Sequence, residues 1–570
     1  MVLGDESTWW RADSTRGLSA PIGQKGARDA AILTFDSGNH PGTLLVGRPG
    51  SGKSTLLHAL IGSLTTLYSP HELELYLIDF KEGVEFKSYA EEGLPHARMV
   101  AVESDREFGL SVLQSLEAEM SRRGELLRGT GGRHASLQAL REASGDSLPR
   151  VLLVFDEFQV LFARNDKLGI TAAGLLETII RQGRGFGVHV LLGSQSLAGL
   201  DALGSHVPQL LPTRILLPTT EADARRVLGD GNDAGQYLTN HGEGILNAAA
   251  GAAEANERFK GALLTEADRT DLLRRLRAKA DAAGFSRRPA VFEGNASVPL
   301  DAMDPAVFRA ELTCSGSTPV RLRAGVPMAV SASADIDLRR EAGANVLAVV
   351  REGDAAGGPL DGPAYGLLLA CIVSAAQTPA GIDVIDFLPA DDGLDEVCEP
   401  LLDQSRITLR RRRAFVPLIE ELRKEVRGRV EADDTRLPAR LAFLFGVHRA
   451  RELDAEIGSL DADPELAEAL EEVMRDGPEV GVHVWLWSDS VGGAARRLSP
   501  RMMRECTWRI AGKMSPDDSL SLLGNERAAE VRDRQLLLSN DDRGILTRAM
   551  SFGCPGTGWL TRVMDIAGRQ

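Results

Sequence analysis

The sequence predicts an α/β fold with two tandem domains, each a parallel β-sheet sandwiched between two layers of helices. Short apolar runs such as LELYLIDF, RVLLVFDEF and VHVLLGSQ alternate with helix-length segments, which is typical of βαβ units. A similar succession of runs occurs again in the C-terminal half of the chain. With 570 residues, the chain is long enough to form two separate hydrophobic cores.

The repetition is clearest in one strand-like segment, because GVHVLLGSQS at 187–196 returns as GVHVWLWSDS at 481–490. Three further pairs keep the same order: TLLVGRPGSGK with NVLAVVREGDAAGG, YLIDFKEGVEF with IDVIDFLPADDG, and LPRVLLVFDEF with LPARLAFLFGVH. One pair of apolar strands could be alike by chance, but four pairs in the same order indicate a duplicated domain.

The chain is expected to divide into four segments. These are a lead-in at 1–18, a first domain at 19–275, a linker at 276–290 and a second domain at 291–570. The amphipathic segment TEADRTDLLRRLRAKADAAGF, which opens with a helix-capping pattern, is predicted to close the first domain.

The composition indicates the cellular compartment of the protein but not its binding partner. The sequence has no apolar run long enough to cross a membrane, no signal-peptide pattern and no CxxC pair among its five cysteines, so we expect a cytoplasmic protein without a transmembrane segment. A net charge of −16 argues against a broad basic surface. The dense basic cluster RITLRRRRAF at 406–415 is interpreted as a solvated helix face, or else as a contact for a charged partner.

The segment GRPGSGKS fits the GxxxxGK[ST] pattern and stands between an apolar run and a good helix, TLLHALIGSL. Glycines allow the backbone N–H groups to surround phosphate oxygens, and the N-terminus of the helix adds its partial positive charge. We expect Lys53 to reach the β and γ phosphates of ATP and the Ser54 hydroxyl to ligate Mg²⁺. The predicted nucleotide-binding residues are Gly47, Arg48, Pro49, Gly50, Ser51, Gly52, Lys53, Ser54 and Thr55.

Two acids, Asp156 and Glu157, follow the apolar run RVLLVF. Acids at the end of a buried strand are costly unless they have charge partners. Asp156 is predicted to hold the Mg²⁺ shell and Glu157 to act as the catalytic base that deprotonates the attacking water. The alternative, a strand end that simply meets solvent, would tolerate any polar residue there.

Two further candidates flank the strand VHVLLGSQ. Gln195, at its carboxyl end, is predicted to hold the attacking water or to sense the γ-phosphate, because ligands gather at that edge of a parallel sheet. Arg184, between two glycines before the strand, is predicted to be a catalytic arginine delivered to a neighbouring subunit. The alternatives are a polar strand end without a role and an ordinary surface arginine.

The second half lacks the residues that would carry out this chemistry. No lysine occurs between Val350 and Gly358, and aligning LLVFDEF with AFLFGVH places Gly446 opposite Asp156 and Val447 opposite Glu157. Little remains there to neutralise a triphosphate or to activate water. We therefore expect 291–570 to be a degenerate domain with a structural or regulatory role.

The residues of the first half resemble the FtsK/SpoIIIE branch of the HerA–FtsK ATPases. The likeness extends from the GRPGSGKS loop to LIDFKEGVEFKSYAEEGLPH, LEAEMSRRGELL and LLPTRILLPTTEADARRVL, and covers roughly residues 20–270. It implies a RecA-like P-loop NTPase domain that uses ATP and Mg²⁺, assembles as a homo-oligomer (a hexamer in the family) and threads a polymer through a central pore. The second half resembles the tandem ATPases of type VII secretion instead of the DNA-reading module of DNA-segregation members.

These observations lead to one main function and two alternatives. The main hypothesis is an ATP-hydrolysing motor that translocates double-stranded DNA. The first alternative is a type VII secretion-like ATPase that moves or gates protein substrates, in which the degenerate domain binds a protein partner. The second alternative is a nucleotide-switched scaffold, against which the Asp156–Glu157 pair argues because it favours hydrolysis.

Overall fold

The computed structural model describes residues 5–80, 85–102, 106–129, 136–144, 148–197, 210–293, 298–300, 303, 319–328, 333–351, 362–388, 398, 401–402, 406–432, 437–454 and 462–568. The chain forms two compact units, residues 1–294 and 295–570.

The described part of the first unit contains eleven strands and seven α-helices. The strands are β1 (Gly17–Lys25), β2 (Asp29–Asp36), β3 (Gly42–Val46), β4 (Leu73–Asp79), β5 (Ala97–Val102), β6 (Arg150–Asp156), β7 (Val188–Ser194), β8 (Thr213–Leu216), β9 (Glu243–Asn247), β10 (Asn256–Gly261) and β11 (Ala290–Glu293). The helices are α1 (Lys53–Leu67), α2 (Lys87–Glu91), α3 (Arg106–Gly129), α4 (Leu137–Ser144), α5 (Lys167–Gln182), α6 (Glu221–Leu228) and α7 (Glu266–Ala282).

The strands of the first unit form one sheet in the order β11-β5-β4-β6-β7-β3-β8-β9-β10-β1-β2. From β11 to β8 neighbouring strands are parallel, and from β8 to β2 they are antiparallel. Every residue of β3, β6 and β7 is buried, as expected for central parallel strands covered on both faces. The carboxyl ends of these three strands therefore meet at one edge of the sheet.

The described part of the second unit contains thirteen strands and seven α-helices. The strands are β12 (Val298–Pro299), β13 (Val320–Arg323), β14 (Val326–Pro327), β15 (Asp335–Leu338), β16 (Val346–Val349), β17 (Gly381–Asp386), β18 (Ile407–Arg411), β19 (Arg440–Phe445), β20 (Val482–Ser488), β21 (Trp508–Ala511), β22 (Gln535–Asn540), β23 (Ile545–Met550) and β24 (Phe552–Gly553). The helices are α8 (Pro363–Ala376), α9 (Phe415–Ala432), α10 (Pro464–Asp476), α11 (Val491–Arg497), α12 (Pro500–Arg504), α13 (Pro516–Leu523) and α14 (Thr557–Gly568).

The main sheet of the second unit repeats the strand order of the first. Read from β18, it runs β18-β17-β19-β20-β16-β21-β22-β23-β14, which corresponds to β5-β4-β6-β7-β3-β8-β9-β10-β1. The change from parallel to antiparallel pairing also falls at the same place, after β21 and after β8. The duplicated fold expected from the repeated sequence segments is therefore present in the structure.

The helix that follows the central strand is buried in both units. In α8 every residue after Pro363 is buried, and in α1 most residues are buried. A helix that is apolar on all sides needs cover on all sides. This explains why the second unit keeps α8 as part of its core even though the loop before it differs.

The boundaries differ from those predicted at the end of the first domain. The predicted linker at 276–290 contains the last turns of α7, and β11 then adds to the first sheet as a parallel neighbour of β5. Phe292 of β11 stacks on Phe108 of α3 with ring centroids 4.0 Å apart. The first unit thus extends to residue 294, because this strand buries an aromatic ring that the sequence pattern alone assigned to the second domain.

The lead-in also joins the first unit. Trp9 is buried in the core, and the indole N–H of Trp10 donates to the carbonyl oxygen of Thr65 at 3.0 Å. Strand β1 begins at Gly17, inside the predicted lead-in. Within the described part of the chain, no helix combines the length and the apolar character that a membrane span requires.

Candidate nucleotide-binding site

The loop between β3 and α1 has the backbone expected of a phosphate-binding loop. Gly50 and Gly52 have φ angles of +75° and +100°, which favour glycine, and α1 begins at Lys53. A Cβ atom added to Gly50 would meet no atom within 4 Å, so the loop has open space in front of it. The N-terminus of this 15-residue helix, with its partial positive charge, fits an anionic ligand.

The loop is anchored by the two strands that flank β3. The amide of Gly47 donates to the carbonyl of Ser194 at the end of β7, at 3.2 Å. The amide of Arg48 donates to the carbonyl of Pro218, just after β8, at 3.0 Å. These bonds fix where the loop leaves the sheet, so that its position depends on the pairing of three strands.

Lys53 lies between the two acids that end β6. Its Nζ atom is 2.8 Å from Glu157 Oε1 and also forms an ion pair with Asp156, and all three side chains are buried. Burial by itself would lower the pKa of Lys53, but the two carboxylates outweigh it and raise the pKa above its usual value. The lysine is therefore charged, and a buried acidic pair is compensated by one cation.

Glu157 adopts a backbone conformation that is rare for a residue with a side chain. Its φ angle is +52°, at the point where β6 turns into a short 3₁₀ helix at Phe158–Phe162. The side-chain amide of Gln159 donates to Glu157 Oε2 at 2.6 Å. A residue with a side chain is uncommon in this left-handed region, so the turn after β6 holds Glu157 in a conformation that costs free energy.

Gly193 provides room for the Asp156 carboxylate. A Cβ atom at Gly193, in the neighbouring strand β7, would lie 2.4 Å from Asp156 Oδ1. Any larger residue at this position would therefore displace the carboxylate. This constraint is not evident from the sequence, since glycine in a strand can serve several purposes.

A second group of polar side chains adjoins the loop. The Ser54 hydroxyl donates to Glu85 Oε1 at 2.7 Å, and His58 Nε2 lies 3.3 Å from Glu85 Oε2. The other ring nitrogen of His58 is 2.9 Å from the hydroxyl of the buried Tyr89. The hydrogen bond from His58, together with that from Ser54, lowers the pKa of Glu85 to about 2, so its carboxylate is ionised.

Glu85 and His58 were not among the predicted site residues. A signal was present, because Glu85 follows β4, whose carboxyl end lies beside that of β6. His58 lies inside α1, one turn beyond Ser54, so the two residues share a face of the helix. The fold alone brings these side chains together, since they are 27 residues apart in the chain.

The turn before β9 contacts the loop from another side. The Nδ1–H of His241 donates to the carbonyl oxygen of Gly50 at 2.5 Å, and the amide of Gly242 donates to the carbonyl of Ser51 at 3.0 Å. A carbonyl oxygen can only accept, so Nδ1 of His241 carries the proton here. No motif in the sequence pointed to this contact.

The other two predicted residues occupy different ends of β7. Gln195 directly follows Ser194, whose carbonyl accepts the hydrogen bond from Gly47 of the loop. Arg184 precedes β7, at the opposite edge of the sheet, and its guanidinium donates to the carbonyl oxygen of Gly38 at 3.0 Å. Seven strand residues separate these edges by roughly 23 Å. Within one chain, therefore, Arg184 is not brought to the phosphate-binding loop.

The strand pairing corrects the alignment of the two units by one residue. Asp156 pairs with Asp79 in the first sheet, and Phe445 pairs with Asp386 at the same point of the second. Phe445 is thus the counterpart of Asp156, and Gly446 that of Glu157. Consistently, Gly446 has a φ angle of +93° and precedes a 3₁₀ helix, as Glu157 does. The shift is hidden in the sequence because each strand has a phenylalanine near its end, Phe155 in β6 and Phe445 in β19, and these two residues align naturally.

Aromatic side chains fill the corresponding place in the second unit. Trp487, the counterpart of Gly193, stacks on Phe445 with ring centroids 4.3 Å apart, and Tyr365 of α8 lies 5.0 Å from Phe445. The indole N–H of Trp487 donates to the carbonyl of Val350 at 3.0 Å. Helix α8 begins with Pro363 where α1 begins with Lys53. Most of the loop before α8, residues 352–361, lies outside the described residues.

The basic cluster at 406–415 is folded differently from the predicted helix face. Its first residues form strand β18, and its arginines face carboxylates. Arg410 lies 3.1 Å from Asp383, Arg411 is paired with Asp386, and Arg412 lies 3.0 Å from Glu452. These ion pairs take up positive charge that a polyanion would otherwise meet.

Fold and site together define the first unit as a P-loop NTPase domain. A glycine-rich loop with a lysine links the central parallel strand β3 to the N-terminus of α1, and an acid pair stands at the end of β6, with β7 between β6 and β3. Residues 3–200 match the model of the FtsK/SpoIIIE family. The first unit therefore carries an FtsK/SpoIIIE-type P-loop ATPase domain.

The relatives of this chain include secretion ATPases. The ESX secretion system protein EccC of Thermomonospora curvata is 34% identical over 277 residues, which make up 46% of this chain and 20% of EccC. The chain thus spans about a fifth of the length of this relative.

Two solved structures resemble the chain along most of its length. The cytoplasmic domain of the type VII secretion ATPase EccC of T. curvata has a TM-score of 0.64 at 22% identity, covering 99% of this chain and 68% of that one. Another T. curvata structure, EccC ATPases 2 and 3 in complex with a signal sequence peptide, has a TM-score of 0.55 at 16% identity, covering 95% and 94%. At these identities the likeness confirms the α/β P-loop NTPase fold class.

Proposed function

We propose that this protein is an ATP-hydrolysing motor that moves or gates protein substrates in secretion. The observation that carries the ATPase part is Lys53, held at the start of α1 between Asp156 and Glu157. The preference for a protein substrate over double-stranded DNA is supported by the relatives, whose names refer to secretion. It is a different substrate from the one that the sequence analysis favoured.

The residues of the loop fit a magnesium nucleotide. Mg²⁺ is commonly bound through one or two protein oxygens together with phosphates and water, and it would neutralise the charge that develops on the transferred phosphate. Ser54 and Asp156 are the oxygen donors that would hold it.

We propose the following roles for the chain's own groups. Lys53 exchanges its carboxylate partners for the β and γ phosphates of ATP, which leaves Glu157 free to accept a proton from the attacking water. Gln159, through its hydrogen bond to Glu157, orients that carboxylate. Gln195, at the neighbouring strand end, is positioned to respond to the γ-phosphate. Arg184, at the far edge of the sheet, would act on the site of an adjacent copy in a homo-oligomer, for which a hexamer is the family expectation.

Two observations weigh against DNA as the substrate. The chain carries a net charge of −16, and the arginines of β18 are paired with carboxylates in the same unit. A motor that holds DNA through its phosphates needs unpaired lysine and arginine side chains along its path. We propose instead that the second unit contacts a protein partner. We also propose a cytoplasmic setting for both units, since a solved structure that resembles the chain is named as a cytoplasmic domain.

The second unit is proposed to have a structural or regulatory role without ATP turnover. Phe445 and Trp487 occupy the position that the Asp156 carboxylate needs, and their stacking would have to be broken to admit a charged ligand. Burying a charge beside aromatic rings without a partner costs several kcal/mol. ATP turnover is therefore expected from the first unit alone.

The experiment that tests this function measures phosphate release from ATP by the full chain in the presence of two candidate polymers. We expect a synthetic secretion-signal peptide to raise the turnover rate and linear duplex DNA to leave it unchanged at low and at moderate salt. Stimulation by DNA that falls steeply with salt would instead support the DNA-translocating motor. A turnover rate too slow to drive movement under any of these conditions would support the nucleotide-switched scaffold.

A further inference from the structure

The site contains a third acid whose position the ATPase chemistry described above does not use. Glu85 lies beside Ser54 and within the electrostatic reach of Lys53, but the pair that ends β6 already compensates Lys53. Its side chain is 30% exposed, so solvent and ions can reach the carboxylate. An ionised carboxylate here adds negative charge where the phosphates of ATP would bind, which is unfavourable unless the group performs a task.

The hydrogen bonds of Glu85 indicate what that task is. A hydroxyl group has one proton to donate and two lone pairs. The Ser54 hydroxyl donates its proton to Glu85 Oε1 at 2.7 Å, so both of its lone pairs stay available to a cation. Without an acceptor at this position, the hydroxyl could rotate its proton towards the metal or towards a phosphate oxygen.

Glu85 is itself held from behind. His58 is buried, and burial lowers its pKa, so the ring is neutral and carries one proton. With the Tyr89 hydroxyl donating to Nδ1, the proton resides on Nε2, which faces Glu85 Oε2 at 3.3 Å. Tyr89 belongs to α2 and is buried, so its position is fixed by packing. Tyr89 therefore holds His58, and His58 holds the Glu85 carboxylate beside Ser54.

We propose that Glu85 is a positioning residue for the magnesium ion, acting through Ser54, and that His58 and Tyr89 hold Glu85 in place. This inference rests on the proposed ATPase function of the same site. Residues that orient metal ligands typically change metal affinity by about 10- to 100-fold when replaced. Glu85 is therefore expected to control how strongly Mg²⁺ promotes nucleotide binding, and to affect metal-free nucleotide binding little.

The test compares Glu85→Gln and Glu85→Ala with the unaltered full chain. Binding of a non-hydrolysable ATP analogue is measured by calorimetry, first in EDTA and then at increasing Mg²⁺ concentrations. In EDTA we expect the variants to bind the analogue at least as tightly as the unaltered chain, because one negative charge near the phosphates is gone. The increase in affinity that Mg²⁺ produces should be smaller by about tenfold or more.

The matched control is Glu91→Gln, which removes an exposed carboxylate of α2 that is 3.8 Å from Lys87. It should leave both measurements unchanged. Tyr89→Phe, which removes one hydroxyl and preserves the buried ring, should weaken the Mg²⁺ effect by a smaller factor than Glu85→Ala. These two variants separate a role at the metal from a general effect of altering α2.

Several outcomes would overturn the inference. If Glu85→Gln and Glu85→Ala keep the full increase in affinity that Mg²⁺ produces, then Glu85 has no role in placing the metal. If these variants bind the ATP analogue more tightly in Mg²⁺ than the unaltered chain does, then Glu85 competes with the metal. If the unaltered chain itself shows no Mg²⁺-dependent nucleotide binding, the proposed ATPase function fails first. The two failures are distinguishable, because the first occurs in the variants only.

Discussion

The carboxyl ends of the central strands contain a buried ion pair in the first unit and an aromatic stack in the second. Lys53 and Asp156 meet there in the first unit, beside Gly193, while Phe445 and Trp487 fill the place in the second. The nine strands that the two sheets share have the same order, and the central pairs β6–β7 and β19–β20 have the same register. The difference teaches that the sheet does not require the ligand site. A small residue preserves space for a charged group, and a large apolar residue converts that space into core.

The comparison also shows which polar group both units keep. His189 and His483 occupy equivalent positions. The Nδ1 atom of His189 lies 3.2 Å from the carbonyl oxygen of Pro41, just before β3, and the Nδ1 atom of His483 lies 2.8 Å from the carbonyl oxygen of Ala344, just before β16. Burial lowers the pKa of both rings, to about 3 for His189 and about 4 for His483. This histidine serves the fold, since it is retained where the ligand site is lost.

The largest effect is expected for Glu157→Gln, which makes the first unit as inert as the second. Loss of a general base lowers turnover by about 10²- to 10⁴-fold, while the amide can still accept a hydrogen bond from Lys53. Phosphate release and binding of an ATP analogue should be measured together, with Glu177→Gln, an exposed partner of Arg181, as control. Turnover that survives in Glu157→Gln would exclude this residue as the base.

Trp487→Ala should damage the second unit in a way that a ligand site would not. The indole is fully buried, and removal of a buried tryptophan side chain costs about 3–5 kcal/mol of unfolding free energy. Denaturant unfolding followed by circular dichroism measures the loss, and Leu520→Ala, at a half-exposed side chain, should cost less than about 0.5 kcal/mol. If Trp487→Ala instead preserves stability and gains nucleotide binding, then the aromatic stack blocks a nucleotide site and does not stabilise the core.

Gly193→Ala adds a single carbon atom at the position where the second unit has Trp487, and so tests how much space the Asp156 carboxylate needs. The added Cβ would lie 2.4 Å from Asp156 Oδ1, so the carboxylate must move. A shift of this kind in a catalytic constellation can lower turnover by about 10²-fold. The control is Gly185→Ala, whose Cβ would meet no atom within 4 Å. Equal turnover of the two variants would show that Asp156 tolerates displacement.

The smallest effect is a pH dependence of stability in the second unit. Above about pH 6.5 His483 is neutral in both the folded and the unfolded chain. Below that pH the unfolded chain takes up a proton that the folded chain does not accept until about pH 4. Its contribution to stability is therefore lost as the pH falls, by about 2 kcal/mol between about pH 6.5 and pH 5.

Tryptophan fluorescence can follow this loss, because Trp485, Trp487, Trp508 and Trp559 all lie in the second unit. His483→Asn keeps a side-chain donor for Ala344 but cannot titrate, so its unfolding free energy should vary less with pH over this range. The pH dependence assigned to His483 would be refuted by an equal slope in the variant and the unaltered chain.

The candidate site was predictable where it depends on contiguous sequence. The loop from Gly47 to Ser54 combines a glycine-rich segment, a lysine and a helix start, and each part has its own local requirement. Asp156 and Glu157 were recognisable because acids interrupt an apolar strand. Glu85 and His58 were not predicted, because their signal depends on the order of the strands in the sheet, which places the end of β4 beside the end of β6. Nothing in the local sequence indicates that His241 adjoins the loop.

The sequence by itself determined the two α/β units, the glycine-rich loop and the loss of lysine and acids in the second half. These features follow from periodicity and residue type along the chain. Only the tertiary structure decided that β11 belongs to the first sheet and that Phe445 is the counterpart of Asp156. It also decided that Gly193 makes room for a carboxylate and that Arg184 lies at the opposite edge from the loop. The reason is physical: strand register and side-chain volume act between segments that are far apart in sequence, so neither can be read from one segment alone.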